Sequence, residues 1–203
     1  MNSPAHTTSP AGRARPLPVD ERRTMIIHAV LPLLLEHGPT ITSRQIADAA
    51  GVAEGTIYRA FGDKDSLIEA VVSHFLDPEP MQFALRTIDP GLPLETKVYS
   101  IVAAMRERFA MVFRLMAVLG SERPPLPSQR LKYTEIITEC LGDDAARLNF
   151  SPAEVGQIIR MVAFSAAFPQ LNAGMEFTTD QLTSIILYGA AGTPNPTPKE
   201  PNR

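Results

Sequence analysis

The sequence predicts an all-α fold, with a compact N-terminal module of short helices ahead of a larger bundle of longer ones. Three observations carry this. Nearly every segment between residues 19 and 192 places its apolar residues at helical spacing. No stretch alternates apolar and polar residues as a half-buried strand would, and no hairpin signal joins two such stretches. Glycine, proline and helix-capping residues punctuate the chain at short intervals in the first third and at long ones afterwards.

Taken in order, residues 1–18 are polar and Pro-rich and read as a disordered tail. Asp20 to His37 reads as a helix with Ile26, Ile27, Val30, Leu33 and Leu34 as its inner stripe, stopped by Gly38 and Pro39. Pro32 inside it predicts a kink, because proline has no N–H to donate and its ring crowds the preceding turn. Helices at about 43–50, 54–60 and 63–76 follow, with Ser43 and Asp63 as expected caps. A short segment around 80–89 lies between "DPEPM" and "DPGLP". The apolar stretch from Leu94 to Leu119 is one helix, or two broken near Glu107. "SERPPLP" ends it, and about 127–147 makes another. Pro152 opens a helix to Phe168, stopped by Pro169; Thr178 or Thr179 caps the last one, which ends near Gly189. Residues 193–203 read as a second disordered tail. The expected division is 1–18 tail, 19–76 module, 77–192 bundle and 193–203 tail.

Composition bounds the function. The chain has 203 residues, of which 44% are hydrophobic, enough for a sizeable core. A single cysteine, Cys140, excludes an intramolecular disulfide or a cysteine-based zinc cluster and fits a reducing cytosol. No run of 18 apolar residues and no signal-peptide core are present, so a cytoplasmic protein without a membrane partner is expected. The net charge of −3 is no advertisement for nucleic acid, and residues 20–76 hold five basic against eight acidic groups. Any case for DNA must therefore rest on where the charges sit.

That placement is specific in "ITSRQIADAAGVAEGTIYRAF", Ile41 to Phe61. Ile46, Ala47 and Ala50 form an inward face whose small alanines admit a close neighbour. Gly51 supplies the positive φ a tight turn needs, Val52 plugs that turn, and Ile57 and Phe61 bury the next helix. Left facing out are Ala53, Glu54, Gly55, Thr56, Tyr58 and Arg59, a helix front small enough to enter a major groove. Arg59 can pair with guanine or with phosphate. Glu54 can accept from cytosine, or simply match the positive end of its own helix. Arg44 can reach a base or the backbone, while Thr56 and Tyr58 offer hydroxyls to phosphate. Lys64 opposes the dipole of its own helix, and phosphate is the natural reason for a cation there. Arg13 and Arg15 read as a solvated tail or as a minor-groove arm.

The frame Ile46, Ala47, Ala50, Gly51, Val52, Gly55, Thr56, Ile57, Tyr58, Phe61, Lys64 and Leu67 resembles the DNA-binding module of TetR/AcrR-type transcriptional repressors, over roughly residues 24–72. The resemblance implies a helix-turn-helix protein that binds double-stranded DNA as a homodimer. Thr42, Ser43, Thr56, Tyr58 and Lys64 match phosphate-contacting positions; Arg44, Glu54, Gly55 and Arg59 match positions that meet base edges. Ala53, Ala60 and Pro32 depart from the usual pattern. A ligand-sensing, dimerising bundle is also implied, in which a small-molecule effector moves the helix from Asp63 to Phe75 and changes the spacing of the two recognition helices. A different class stays open: an all-α ligand-binding or adaptor protein whose helix-turn-helix is only scaffold.

Two features of the bundle support the first reading. The last long helices are apolar on more than one face: Val155, Ile158, Ile159, Val162 and Ala166 on one, Leu182, Ile185, Ile186 and Gly189 on the other. That pattern suits a helix packed on its own core and on a partner, or burial within one chain. Tyr99, Met105, Phe109, Phe113 and Met116, with Met161, Phe164 and Phe168, can line an apolar cavity or form ordinary core. Enzymatic readings find little. The four histidines show no metal-ligand spacing, there is no phosphate-cradling loop or nucleophile elbow, and Cys140 reads as a buried thiol, so neither catalysis nor a cofactor is expected.

Overall fold

A computed structural model describes residues 18–120, 130–168, 171 and 175–189, and all the regular structure among them is helical. The helices are α1 (Val19–His37), α2 (Ser43–Ala50), α3 (Glu54–Phe61), α4 (Lys64–Leu76), α5 (Glu79–Arg86), α6 (Leu94–Leu119), α7 (Arg130–Leu141), α8 (Pro152–Ala167) and α9 (Thr179–Tyr188). Short 3₁₀ turns, Gly38–Thr40 and Gly142–Arg147, follow α1 and α7. The expected tail up to residue 17, Arg13 and Arg15, the "SERPPLP" linker, Pro169 and residues 193–203 lie outside the described residues.

Two apolar clusters organise the chain. The first joins α1 to α4: Ile26, Val30, Leu34, Ile46, Ile57, Leu67 and Val71 are shut off from solvent. Each such side chain contributes about 1.5–3 kcal/mol by leaving water. The second joins α5 to α9 around Leu85, Val98, Ile101, Val102, Met105, Ile137, Ile159 and Ala163. Helix α6 belongs to both. Its first half lies in the second cluster, while Leu115 is buried in the first, with Met111, Val118 and Leu119 against it.

The alternatives for 94–119 resolve into one unbroken helix of 26 residues. Buried Leu94, Val98, Val102 and Met105 before Glu107, and Val112 and Leu115 after it, supply burial on both sides, so nothing forces a break. Helix α1 likewise runs through Pro32, whose missing N–H is the one that the carbonyl of His28 would accept. The predicted 127–147 helix is shorter: α7 ends at Leu141, and Gly142 at φ 51° turns the chain into the 3₁₀ segment. Ser151 and Thr178 each close a reciprocal capping box, with Glu154 and Gln181.

Candidate nucleic-acid interface

Local chemistry builds the α2–α3 unit. Thr42, at φ −91° and ψ 154°, caps α2: its Oγ1 accepts the Gln45 N–H at 3.2 Å, and the Thr42 N–H donates to Gln45 Oε1 at 2.9 Å. Ser43 is therefore not the cap expected from sequence; it is the first helical residue, because only Thr42 has a glutamine three places on. Gly51 ends α2 in the left-handed region, φ 65° and ψ 32°, and the Val52 N–H returns to the Ala47 carbonyl at 3.0 Å. Ile57 and Phe61 then seat α3 in the core. Asp63 caps α4 by accepting the Ser66 N–H at 2.7 Å, and that bond holds its carboxyl below the ordinary value.

The structure links two groups of the candidate contact residues, Ser43 with Tyr58 and Arg59 with Gly55 and Thr56, along the exposed edge of this unit. Tyr58 is 48% exposed, and its hydroxyl lies 3.0 Å from Ser43 Oγ, linking α3 to the start of α2. Thr42, Arg44, Glu54, Gly55 and Arg59 are exposed; Ser43, Thr56 and Lys64 are half-buried. Arg59 folds along its own helix, with Nε donating to the Gly55 carbonyl at 3.0 Å and Nη2 3.5 Å from Thr56 Oγ1. Lys64 Nζ donates to the Pro39 carbonyl at 3.1 Å, a partner the sequence reading did not foresee. That bond offsets the unfavourable helix dipole and fixes the ammonium beside the edge. Arg23, also missed, donates to the Ala60 carbonyl and lies 4.4 Å over the Phe61 ring, fastening α1 to the end of α3. Its nearest sequence signal is an arginine on the helix before a small-residue module, too general to assign.

Elsewhere the placement of the candidates differs from expectation. Val155, Ile159 and Leu182, named for a dimer face, are sealed in the chain's own core, whereas Ile158, Val162, Ala166 and Ile186 are half-buried and Ile185 and Gly189 exposed. Gly156 explains part of this, since an added Cβ would meet the Ile137 side chain at 3.5 Å, so this face of α8 packs on α7. Among the cavity candidates, Met105 is plain core. Tyr99, Met116, Met161 and Phe164 are exposed, the last by 41%. Phe109, Phe113, Phe164 and Phe168 do come together, with Phe113 4.6 Å from Phe168 and 4.9 Å from Phe164, centroid to centroid. A separate cleft of about 160 Å³ opens at the start of α6 and α8, lined by Leu94, Glu95, Arg147, Phe150, Ile158 and Tyr188 among others. Cys140 is buried, and burial pushes its thiol up, as an inert role requires.

This geometry has close parallels. The family model of bacterial regulatory proteins of the tetR family matches residues 26–71, from the core of α1 to that of α4. The HTH-type transcriptional regulator HbdR of Aromatoleum sp. (strain CIB) is 31% identical over 112 residues, which is 52% of this chain and 49% of that protein. The HTH-type transcriptional repressor KstR2 of Rhodococcus jostii (strain RHA1) is 39% identical over 57 residues, 28% of each. The chain thus spans about half the length, or less, of the curated relatives it matches. A TetR/AcrR-family regulator from Thermobifida fusca YX-ER1 shares the fold, at a TM-score of 0.58 and 20% identity over 84% of this chain and 98% of that one. The fatty acid degradation regulator FadR from Bacillus halodurans does so at 0.54 and 19%, over 85% and 97%. The helix-turn-helix unit of this chain, over residues 26–71, thus matches the tetR family of bacterial regulatory proteins, and the all-helical architecture around it is shared with solved regulators.

Proposed function

We propose that this protein is a cytoplasmic, sequence-specific transcriptional repressor that binds a palindromic operator as a homodimer and leaves it when a small molecule occupies the bundle. The single observation that carries this reading is the exposed edge of the α2–α3 unit, where hydroxyls, cations and one acid converge on a helix narrow enough for a major groove. Thr42, Ser43, Thr56 and Tyr58 offer their hydroxyls to phosphate. Lys64 spends one of three donors on Pro39 and keeps the others for phosphate. Arg59 and Arg44 read guanine edges once Arg59 swings off its own helix, and Glu54 accepts from a cytosine amino group. Gly55 lets the backbone approach, since an added Cβ would point into open space.

The dimer rests on apolar residues of α8 and α9 that the chain's own core leaves partly or fully exposed, Ile158, Val162 and Ile185. A two-fold pair would set two α3 helices about 34–36 Å apart, one turn of duplex. The effector's place is the ring cluster of Phe109, Phe113, Phe164 and Phe168. Phe113 stands two residues from Leu115, which is buried among α1–α4, and Arg108 on the same helix donates to the carbonyls of Phe75 and Leu76 at the end of α4. A ligand that shifts α6 therefore pulls α4, with a coupling of about 1–3 kcal/mol.

Selection of bound duplexes from a random pool, followed by salt titration, tests the reading. A palindromic site is expected, with affinity falling steeply as salt rises. Tyr58→Ala and Lys64→Ala should weaken binding alike on all sequences, whereas Arg59→Ala should cost about 1–3 kcal/mol and relax base preference. Failure to enrich a palindrome, or undiminished binding by Tyr58→Ala and Lys64→Ala, sinks the proposal.

A further inference from the structure

Outside the α2–α3 edge, two histidines from distant parts of the chain meet. His28 on α1 and His74 in the last turn of α4 bring their Nε2 atoms to 3.2 Å, across 46 residues of sequence. Both residues are exposed to solvent. Their rings stand edge to face, centroids 5.0 Å apart, and Phe75 packs edge-on against each, at 5.2 Å from His28 and 5.0 Å from His74.

The separation has a chemical meaning. Two imidazoles bound to one tetrahedral ion at about 2.0–2.1 Å per bond hold their nitrogens about 3.3–3.4 Å apart. We propose that His28 and His74 form a metal site for a borderline divalent transition ion of the zinc, nickel or copper class, one that clasps α1 to α4. Imidazole nitrogen selects these ions over the hard magnesium and calcium, which prefer oxygen. Among the described residues no group of three His, Cys, Asp or Glu side chains is placed to hold a metal, so water completes the shell. The site is therefore open and exchangeable, as a sensing site is, unlike a closed structural one. Phe75, wedged against both rings, limits their rotation and so fixes the direction of their lone pairs. In the metal-free pair, one Nε2–H donates to the other's lone pair; on binding, both imidazoles present Nε2 lone pairs to the ion and carry their protons on Nδ1.

The clasp sits where it matters mechanically. Helices α1 and α4 both pack on α3, and the last carbonyls of α4 accept from Arg108 of α6. An ion across His28 and His74 ties together the two helices that frame α3, at the end of α4 nearest the bundle.

The experiment uses the full chain, stripped with a chelator and titrated with Zn²⁺ by calorimetry while its thermal midpoint is followed. Saturable uptake of one ion per chain and a raised midpoint are expected. His28→Gln and His74→Gln should each weaken uptake by at least the roughly 10- to 100-fold that even a ligand's supporting partner is worth. His37→Gln and His6→Gln should leave it unchanged. In the parent loaded with Cu²⁺, electron paramagnetic resonance should show two nitrogen ligands, a readout that stands even if a variant folds poorly. Absence of saturable uptake, uptake undiminished in His28→Gln or His74→Gln, loss on changing His37 or His6 instead, or fewer than two nitrogens overturns the site.

Discussion

The module and the bundle treat their polar groups in opposite ways. In the module the fully buried side chains are apolar, and polar groups pair at or near the surface: Thr42 with Gln45, Ser43 with Tyr58, Arg59 with Gly55. The bundle takes a charge inside. The side chain of Lys97 is only 2% exposed; its Nζ lies 2.9 Å from Asp144 Oδ2 and 3.5 Å from the Leu141 carbonyl. Asp144 also accepts from Arg147 at 3.0 Å, Arg147 approaches Glu95, and Glu95 accepts the Tyr188 hydroxyl at 2.9 Å. One set of polar groups stays at the surface. The other is consumed in holding the Gly142–Arg147 turn to α6 and α9. Exposed groups with spare bonding capacity suit binding; a network anchored on one buried ammonium and running out to the surface suits structure.

The largest effect should come from the residue that denies a clean division. Leu115→Ala, though on α6, should cost about 2–5 kcal/mol, because it empties space in the module's core. Native-state hydrogen exchange should lose protection in α1 and α4 more than in α7 and α8; the reverse would place α6 wholly in the bundle.

Next is the internal network. Asp144→Ala leaves Lys97 buried without its counter-charge, whereas Lys97→Met removes the charge and keeps the volume. Asp144→Ala should lower the thermal midpoint clearly more than Lys97→Met. The same contrast fixes a pH dependence. Hydrogen bonds from Lys97 and then Arg147 hold the Asp144 carboxyl below its ordinary 3.8, and backbone and Tyr188 bonds hold Glu95 below 4.5. Folded values below unfolded ones give stability that is full above the ordinary values and lost as pH falls through the lower folded ones. Thermal midpoints measured downward from about pH 6 should drop below about pH 4, and less steeply in Lys97→Met.

Smaller effects lie in the module. Gly51→Ala meets no neighbouring atom, so only the left-handed backbone is strained, at about 1–2 kcal/mol. Thr42→Ala removes a cap and should cost about 1 kcal/mol, measurable by denaturant unfolding, besides one candidate phosphate contact. An equal loss of stability in the two would mean that the cap and the turn are not separable.

Much of the module was legible because its signals are local. Gly51, Asp63 and the Ile57–Phe61 pair act within four residues of themselves, and each takes its expected place. The T-x-x-Q box was equally legible and shows why Thr42, and not Ser43, is the cap. Bundle sites were less so. Helix α8 is apolar nearly all round, so periodicity could not say whether Val155 or Ile158 faces inward.

By itself, then, the sequence determined that the chain is helical, most helix positions, the Asp63 cap and the tight α2–α3 turn, all consequences of spacing and of backbone preference over a few residues. Tertiary structure alone decided which face of α8 is core, that α6 is one helix shared by both clusters, that Lys97 is buried against Asp144, and that His28 meets His74. Each of these depends on contacts between residues tens of positions apart, where packing chooses among faces that local chemistry leaves equivalent.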